Sequence, residues 1–436
     1  MPSLRVPLRP PGPMRRTGST GAAAMAGLVA CGVAWGQSAP SREVDVKPRV
    51  HAVSTAAEPR VAPSASPEQR LIGIYQLIGK ARMNDALEQA DALVRDVPNF
   101  RLAHLVRGDL LMARRGQLSG FAAGVPKLLV KTPEHSERLD QMRQEASLRL
   151  QAIRETPPAD RIPRQFVTLA ASTRHAIAVD ASRARLYLFE HRDGQLTLVS
   201  SHYASIGRSG VDKRVEGDRR TPLGVYFITS KLSKAQVDDF YGAGALPLNY
   251  PNDYDRGLGR TGSGIWLHGV PRESYSRAPR ETDGCVALAN DELDGILRTV
   301  ESRSTPVVIA ERIDWVTPEE LAEDRRNAVA LLDAWHGARA DPGRLAGFYA
   351  SRVVPVAQTT NGGANRASKA ARGPSMGAGG PTQLKDVSVL AWRDRKDVLV
   401  VTFGEVPRGA RSGTVLRQYW ERDGRTWRIV HERVIG

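Results

Sequence analysis

A chain of 436 residues has room for two to four domains, and 41% hydrophobic with 25% charged residues is ordinary globular composition. The net charge of +15 is spread along the chain; residues 1–36 hold four arginines and no acid, leaving +11 for the rest. That balance suits an anionic polymer, a membrane surface or a plain solvated basic exterior, while two cysteines exclude a disulfide framework. Zinc-ligand spacing and RNA-binding aromatic signatures are both lacking, so no nucleic-acid partner is expected.

Residues 1–36 read as a secretory signal peptide. Arg15 and Arg16 flank the apolar run 21–35, and Ala34-Trp35-Gly36 is a small-x-small cleavage site, with the mature chain starting near Gln37. Leu28-Val29-Ala30-Cys31 also resembles a lipoprotein box, so a membrane anchor is expected only if Cys31 is lipidated. The apolar run continues past Cys31 to Trp35, which favours simple cleavage. Export places the protein in the periplasm or cell envelope. Beyond position forty no apolar stretch reaches the roughly 18 residues of a membrane span. Residues 37–66, rich in Ser, Pro, Ala and charge, read as a disordered linker.

Residues 67–156 carry helical spacing. Leu71, Ile74, Tyr75 and Ile78 share one face; Ala86, Leu87, Ala90, Leu93 and Val94 share another, closed by Pro98. Arg101 to Arg115 is a third helix. A fourth over 136–154 has Leu139, Met142, Ala146, Leu150 and Ile153 on its stripe. Helix, Pro98-Asn99 turn, helix resembles a tetratricopeptide-like pair; a helical cap on the next domain explains the same pattern.

Near residue 165 the period becomes that of strands. Ala176 to Asp180 and Arg185 to Glu190 read as a strand pair, and Leu196 to Ser200 continues the sheet. Gly264-Ile265-Trp266-Leu267 is a strand that delivers His268 at its end. Asn290 starts a helix, and Thr305 to Ala310 closes a mostly-β domain over 166–312. Asn249 to Tyr254 reads as a lid loop. Helical stripes return with Ala328, Leu331, Leu332 and Trp335. Residues 357–382 are a low-complexity insertion. Alternating runs at 387–392, 397–405, 414–421 and 426–432 complete an α+β unit over 321–436.

With Cys31 assigned to the signal, Cys285 is the remaining thiol. A thiolate is the nucleophilic form, and His268 is placed in the chain to take the proton. Gly284 before it permits a tight bend, and the Gly284 and Cys285 amides could face an oxyanion. The Gly269 carbonyl could fix the tautomer of His268. A lone cysteine is more often a buried hydrophobe than a nucleophile, so residue types alone leave both readings open.

The order of the segment resembles the YkuD-type L,D-transpeptidase catalytic domain. His268-Gly269 and Thr282-Asp283-Gly284-Cys285 stand at the family's separation, and Gly217-Asp218-Arg219-Arg220-Thr221-Pro222-Leu223-Gly224 resembles its cleft-framing segment. Asp283 replaces the usual histidine. Ala287 stands where many members have an arginine to which carboxylate binding is ascribed. The resemblance implies a cysteine enzyme acting on L,D-bonds of peptidoglycan stem peptides, as a transpeptidase or as a carboxypeptidase or hydrolase releasing D-alanine or lipoprotein. It implies no cofactor and no metal. It gives Cys285 as nucleophile, His268 as base and acid, Gly269 as orienting carbonyl and Gly284 as oxyanion donor. Arg219, Arg220, Thr221, Tyr250, Trp266 and Asp283 are the candidate substrate-binding residues. With 321–436 resembling an NTF2-like domain, the layout resembles cell-shape-determining L,D-carboxypeptidases. A non-catalytic wall scaffold and a general cysteine protease are the competing classes.

Overall fold

The computed structural model describes residues 65–117, 132–351 and 382–435. The expected signal peptide with Cys31, the expected linker up to residue 64 and the expected insertion from 357 to 381 lie outside the described residues.

Four helices open the described chain: α1 (Pro67–Gly79), α2 (Met83–Asp96), α3 (Arg101–Arg114) and α4 (Pro133–Arg154). Ser66 caps α1 through the Gln69 amide in a full capping box, and Thr132 caps α4 through His135, each with proline in the first turn. The expected apolar stripes meet in one core with Leu71, Ile74, Ala90, Leu93 and Phe100 at its centre. Tyr275 and Ala289 of the central region belong to that same core, so the helices close over the domain that follows.

That domain is built on two sheets. The larger has five strands in the order Gln195–Tyr203, Arg185–Arg192, His175–Asp180, Pro306–Ala310, Gly224–Phe227. Only the His175–Asp180 and Pro306–Ala310 pair is parallel. The smaller runs Val286–Ala287, Trp266–His268, Gly244–Pro247, Leu232–Ser233. Ile177, Val179, Leu186 and Leu188 on one face of the large sheet pack against Leu246, Leu267, Val286 and the helix Asn290–Thr299. Each such side chain taken from water contributes about 1.5–3 kcal/mol.

The other face of the large sheet is covered too. Ala176, Ala178, Tyr187, Phe189 and Val308 meet Leu390, Trp392, Val400 and Tyr419 of a C-terminal antiparallel sheet. This double cover explains why Ala176 to Asp180 is buried throughout rather than at every second residue. The C-terminal sheet runs Thr382–Arg393, Asp397–Pro407, Thr414–Asp423, Thr426–Val434 in chain order. Its far face carries the helix Ala322–Ala338 through Ala328, Leu332 and Trp335. The architecture is thus N-terminal helices, a mostly-β centre and a β-rich C-terminal segment.

Tyr250 and the supposed lid require a correction. Asn249 to Tyr254 does not cover a cleft; it joins the centre to the C-terminal sheet. Tyr250 is buried in the inter-sheet core, with its hydroxyl donating to the Thr261 carbonyl at 3.0 Å. The Tyr254 hydroxyl donates to Glu421 at 2.8 Å, and its ring stacks on Tyr419 at 6.0 Å. Both aromatics are buried in packing.

Candidate active site

The parallel pairing of Trp266–His268 with Val286–Ala287 sets the site. Leu267 opposes Val286 and His268 opposes Ala287. Side chains alternate along a strand, so Leu267 and Val286 enter the core while Trp266, His268 and Ala287 share the other face. Cys285, two residues before Ala287, falls on that face one step along from His268. The shared pleat is why a histidine and a cysteine far apart in sequence come together.

His268 is buried. Its Nδ1 lies 2.6 Å from the Gly269 carbonyl, and a carbonyl can only accept, so Nδ1 carries the proton and Nε2 keeps its lone pair. Burial pushes the imidazole down to about 4; the Gly269 bond opposes this and the Arg277 charge adds to it. The ring is therefore neutral at neutral pH.

The turn after it is held by Asn290. Its Oδ1 accepts the Ala243 amide at 2.8 Å and the Val270 amide at 3.1 Å, and its Nδ2 donates to the Val270 carbonyl at 2.8 Å. A Cβ at Gly269 would stand 2.1 Å from Asn290 Oδ1, so the glycine after the histidine is required by this amide. Tyr241 and Phe240 complete the wall, with ring centroids 5.1 and 6.1 Å from the imidazole. The Trp266 ring lies 4.8 Å from that of Tyr241, on the same wall.

Cys285 is partly exposed, and its Sγ lies 3.3 Å from the Gly264 carbonyl. Burial raises its thiol above the ordinary range, while the Trp266 amide and the Arg277 charge pull it down. The resting pair is thus a neutral thiol and a neutral imidazole. Gly284 has φ +129°, and a Cβ there would sit 2.7 Å from the Arg220 carbonyl, so only glycine fits. Its amide, expected to face an oxyanion, is engaged instead: it donates to Thr282 Oγ1 at 3.1 Å. Thr282 Oγ1 in turn donates to the Cys285 carbonyl at 2.7 Å.

The Gly217 to Gly224 segment is organised by Asp218. Burial alone would raise its carboxyl, but the Lys213 ammonium at 2.8 Å and the amides of Arg214, Arg220 and Val215 hold it at about 2. Arg219 is exposed, with φ +58°. Arg220 is exposed and donates to the Val211 carbonyl at 2.8 Å. Thr221 is fully buried, and its Oγ1 accepts the Gly207 amide at 2.8 Å; it frames the cleft floor and cannot touch substrate. Asp283 points to solvent and pairs with Arg208 at 3.2 Å. Ala287 is buried, with amide and carbonyl both bonded to Ser205 at 2.9 Å.

Arg277, Phe240, Tyr241 and Asn290 were not singled out by the sequence. Asn290 alone left a readable signal, as the first residue of a helix. Among the described residues, no three His, Cys, Asp or Glu side chains gather as a metal site.

Residues 174–309 match the YkuD family, the L,D-transpeptidase catalytic domain. Among solved structures, Bd1075 from Bdellovibrio bacteriovorus is similar at 23% identity and a TM-score of 0.51, over 63% of this chain and 98% of that one. The helical cell shape determining protein Pgp2 from Campylobacter jejuni aligns at 20% identity and a TM-score of 0.48, over 62% and 95%. An L,D-transpeptidase from Mycobacterium smegmatis aligns at 14% and 0.21, over 31% and 58%. Among curated proteins nothing matches the chain. The Bd1075 likeness concerns the fold and extends it over the flanking segments. The family match falls on the two sheets that bring His268 and Cys285 to one face: residues 174–309 are an L,D-transpeptidase catalytic domain of the YkuD family.

Proposed function

We propose that this protein is an exported cysteine enzyme that acts on L,D-bonds of peptidoglycan stem peptides through a thioester on Cys285. One observation carries the reading. A neutral imidazole with its Nδ1 proton tied to Gly269 shares a pleat face with a partly exposed thiol.

In this scheme His268 Nε2 takes the Cys285 proton as the sulfur attacks the carbonyl at the L-centre of a diamino acid. The carbonyl electron pair moves to oxygen. With the Gly284 amide held by Thr282, the Cys285 amide is the backbone donor we assign to that oxyanion. Collapse breaks the C–N bond, and the imidazolium returns the proton to the departing D-alanine or linked amine. An amine or a water then attacks the thioester, loses its proton to His268 and regenerates the thiol. Amine entry makes the enzyme a transpeptidase; water entry makes it a carboxypeptidase or a hydrolase that detaches lipoprotein. Trp266, Asp283, Arg219 and Arg220 form the wall and rim for the substrate.

The same proposal includes the periplasm or cell envelope as location, on the signal-like residues 1–36, and domain bounds at 67–156, 166–312 and 321–436. The α2–α3 hairpin supports a tetratricopeptide-like unit. One long helix laid on a four-strand antiparallel sheet supports an NTF2-like unit, and the layout supports a role in cell shape.

The test is digestion of purified disaccharide tetrapeptides and crosslinked wall fragments by the full chain, read by mass spectrometry. Tripeptide products are expected from water entry and new crosslinked dimers from amine entry. Cleavage confined to ordinary L-peptides such as casein, or no change in any wall fragment, would sink the reading.

A further inference from the structure

The loop between His268 and Cys285 is gripped from outside its own domain. Asn99, at the turn between α2 and α3, donates its Nδ2 to the Arg272 carbonyl at 2.7 Å, and its carbonyl accepts the Tyr275 amide at 3.3 Å. The Tyr275 ring packs on Phe100 with centroids 4.2 Å apart. Ser276 donates its hydroxyl to Glu145 of α4 at 2.9 Å. The next residue is Arg277, whose carbonyl accepts the Tyr203 hydroxyl at 3.0 Å. Four helical-domain contacts on neighbouring loop residues fix where the Arg277 backbone stands.

Its guanidinium lies 4.4 Å over the ring of Phe240, the same ring that flanks His268. The acids nearest in sequence are taken: Glu281 accepts the Ala278 amide at 2.7 Å and pairs with Arg138 at 3.6 Å, and Asp283 pairs with Arg208. Among the described residues no carboxylate lies within ion-pair distance of Arg277. A half-buried guanidinium without a counter-ion carries a desolvation cost, and a carboxylate arriving with a ligand repays it in bidentate geometry.

We propose that Arg277 receives a carboxylate of the acyl donor, and that the helical domain is the clamp that holds it there. This rests on Cys285 acting on stem peptides as proposed above. The clamp makes the N-terminal helices part of substrate recognition, since they anchor the Arg272 to Ser276 side of the loop that carries the arginine, while Tyr203, Ser205 and Ile206 of the central domain hold its other side.

The experiment compares alkylation of Cys285 by iodoacetate, an anion, and iodoacetamide, its neutral analogue, by peptide mapping of the full chain. In Arg277→Gln the iodoacetate-to-iodoacetamide rate ratio is expected to fall about 10-fold, the scale of one charge-assisted hydrogen bond. Arg277→Lys keeps most of the ratio, and Arg192→Gln, an exposed arginine paired with Glu190 on the central sheet, leaves it unchanged. Stem tetrapeptides give the second readout. Arg277→Gln raises KM with kcat nearly kept, and the loss vanishes for a peptide amidated at the carboxylate that is read. Amidating the terminal D-alanine or the diamino acid in turn identifies which one. Equal slowing of both reagents, or an unchanged ratio, overturns the proposal even where stem peptides are turned over. A shifted ratio in a protein that leaves stem peptides intact sinks the functional reading and leaves an anion site at Arg277.

Discussion

Cys285→Ala is expected to abolish stem-peptide turnover, by about 10⁴-fold or more, and to change stability by no more than about 1 kcal/mol. The sulfur lies in the cleft wall, not in the core: its contact is the Gly264 carbonyl at 3.3 Å, and the flanking Val286 does the packing. Removing it deletes the bond-forming atom and leaves the sheet pairing intact. His268→Asn is expected to cost a comparable factor, because nucleophile and base act as one unit. The pH dependence follows from the same pair. The His268 pKa lies at about 4, so the imidazole accepts a proton at any pH above that and loses this ability as pH falls through about 4. The acid limb of log kcat/KM against pH therefore falls near 4 rather than near the ordinary histidine value of roughly 6.5. The raised thiol predicts that alkylation of Cys285 keeps increasing as pH rises from neutrality toward the alkaline range. A plateau already reached at neutral pH would mean a preformed thiolate–imidazolium pair instead.

The second large effect is on stability. Arg149→Met is expected to lower unfolding free energy by about 3–5 kcal/mol, read as a drop in the urea midpoint at unchanged slope. Arg149, on α4, is buried, and its guanidinium pairs with both Glu68 of α1 and Glu145 of its own helix. Arg185 of the central sheet shares Glu68 at 2.8 Å. The guanidinium also lies 3.9 Å over the Tyr203 ring. This network ties two helices to the edge of the catalytic sheet. Methionine fills the volume but leaves Glu145 buried without its cation and Glu68 with half of its pairing. The penalty is for the stranded carboxylates, so Glu145→Gln in the same background should recover part of it. A loss below about 1 kcal/mol would show that water reaches the network.

Spacing made Cys285, His268 and the central strands legible. Two glycine-marked segments at a fixed separation define one pleat face, and strand alternation carries that information in the sequence itself. The helical stripes were legible for the same reason. Arg149 and Glu145 were not, because charged residues off an apolar stripe read as a solvent face, and α4 is covered on a second side by α1 and the central sheet. Tyr250 and Thr221 misled in the opposite direction. An aromatic in a proline-containing loop and a threonine beside two arginines both look available to ligand. The core between the two central sheets and the Gly207 amide claim them first. The Gly284 amide was misassigned because Thr282, two residues earlier, reaches back to bond it. Arg277 had no signal at all. One arginine in a polar loop is unremarkable until α2, α3 and α4 are seen to anchor that loop.

The most direct measurement is peptide-mapped mass spectrometry of the full chain quenched in acid during turnover of a disaccharide tetrapeptide. The account predicts a hydroxylamine-labile adduct on Cys285, with the mass of the disaccharide tripeptide acyl group, forming and decaying with product release. Turnover without any adduct on Cys285, or with the adduct on another residue, would contradict it.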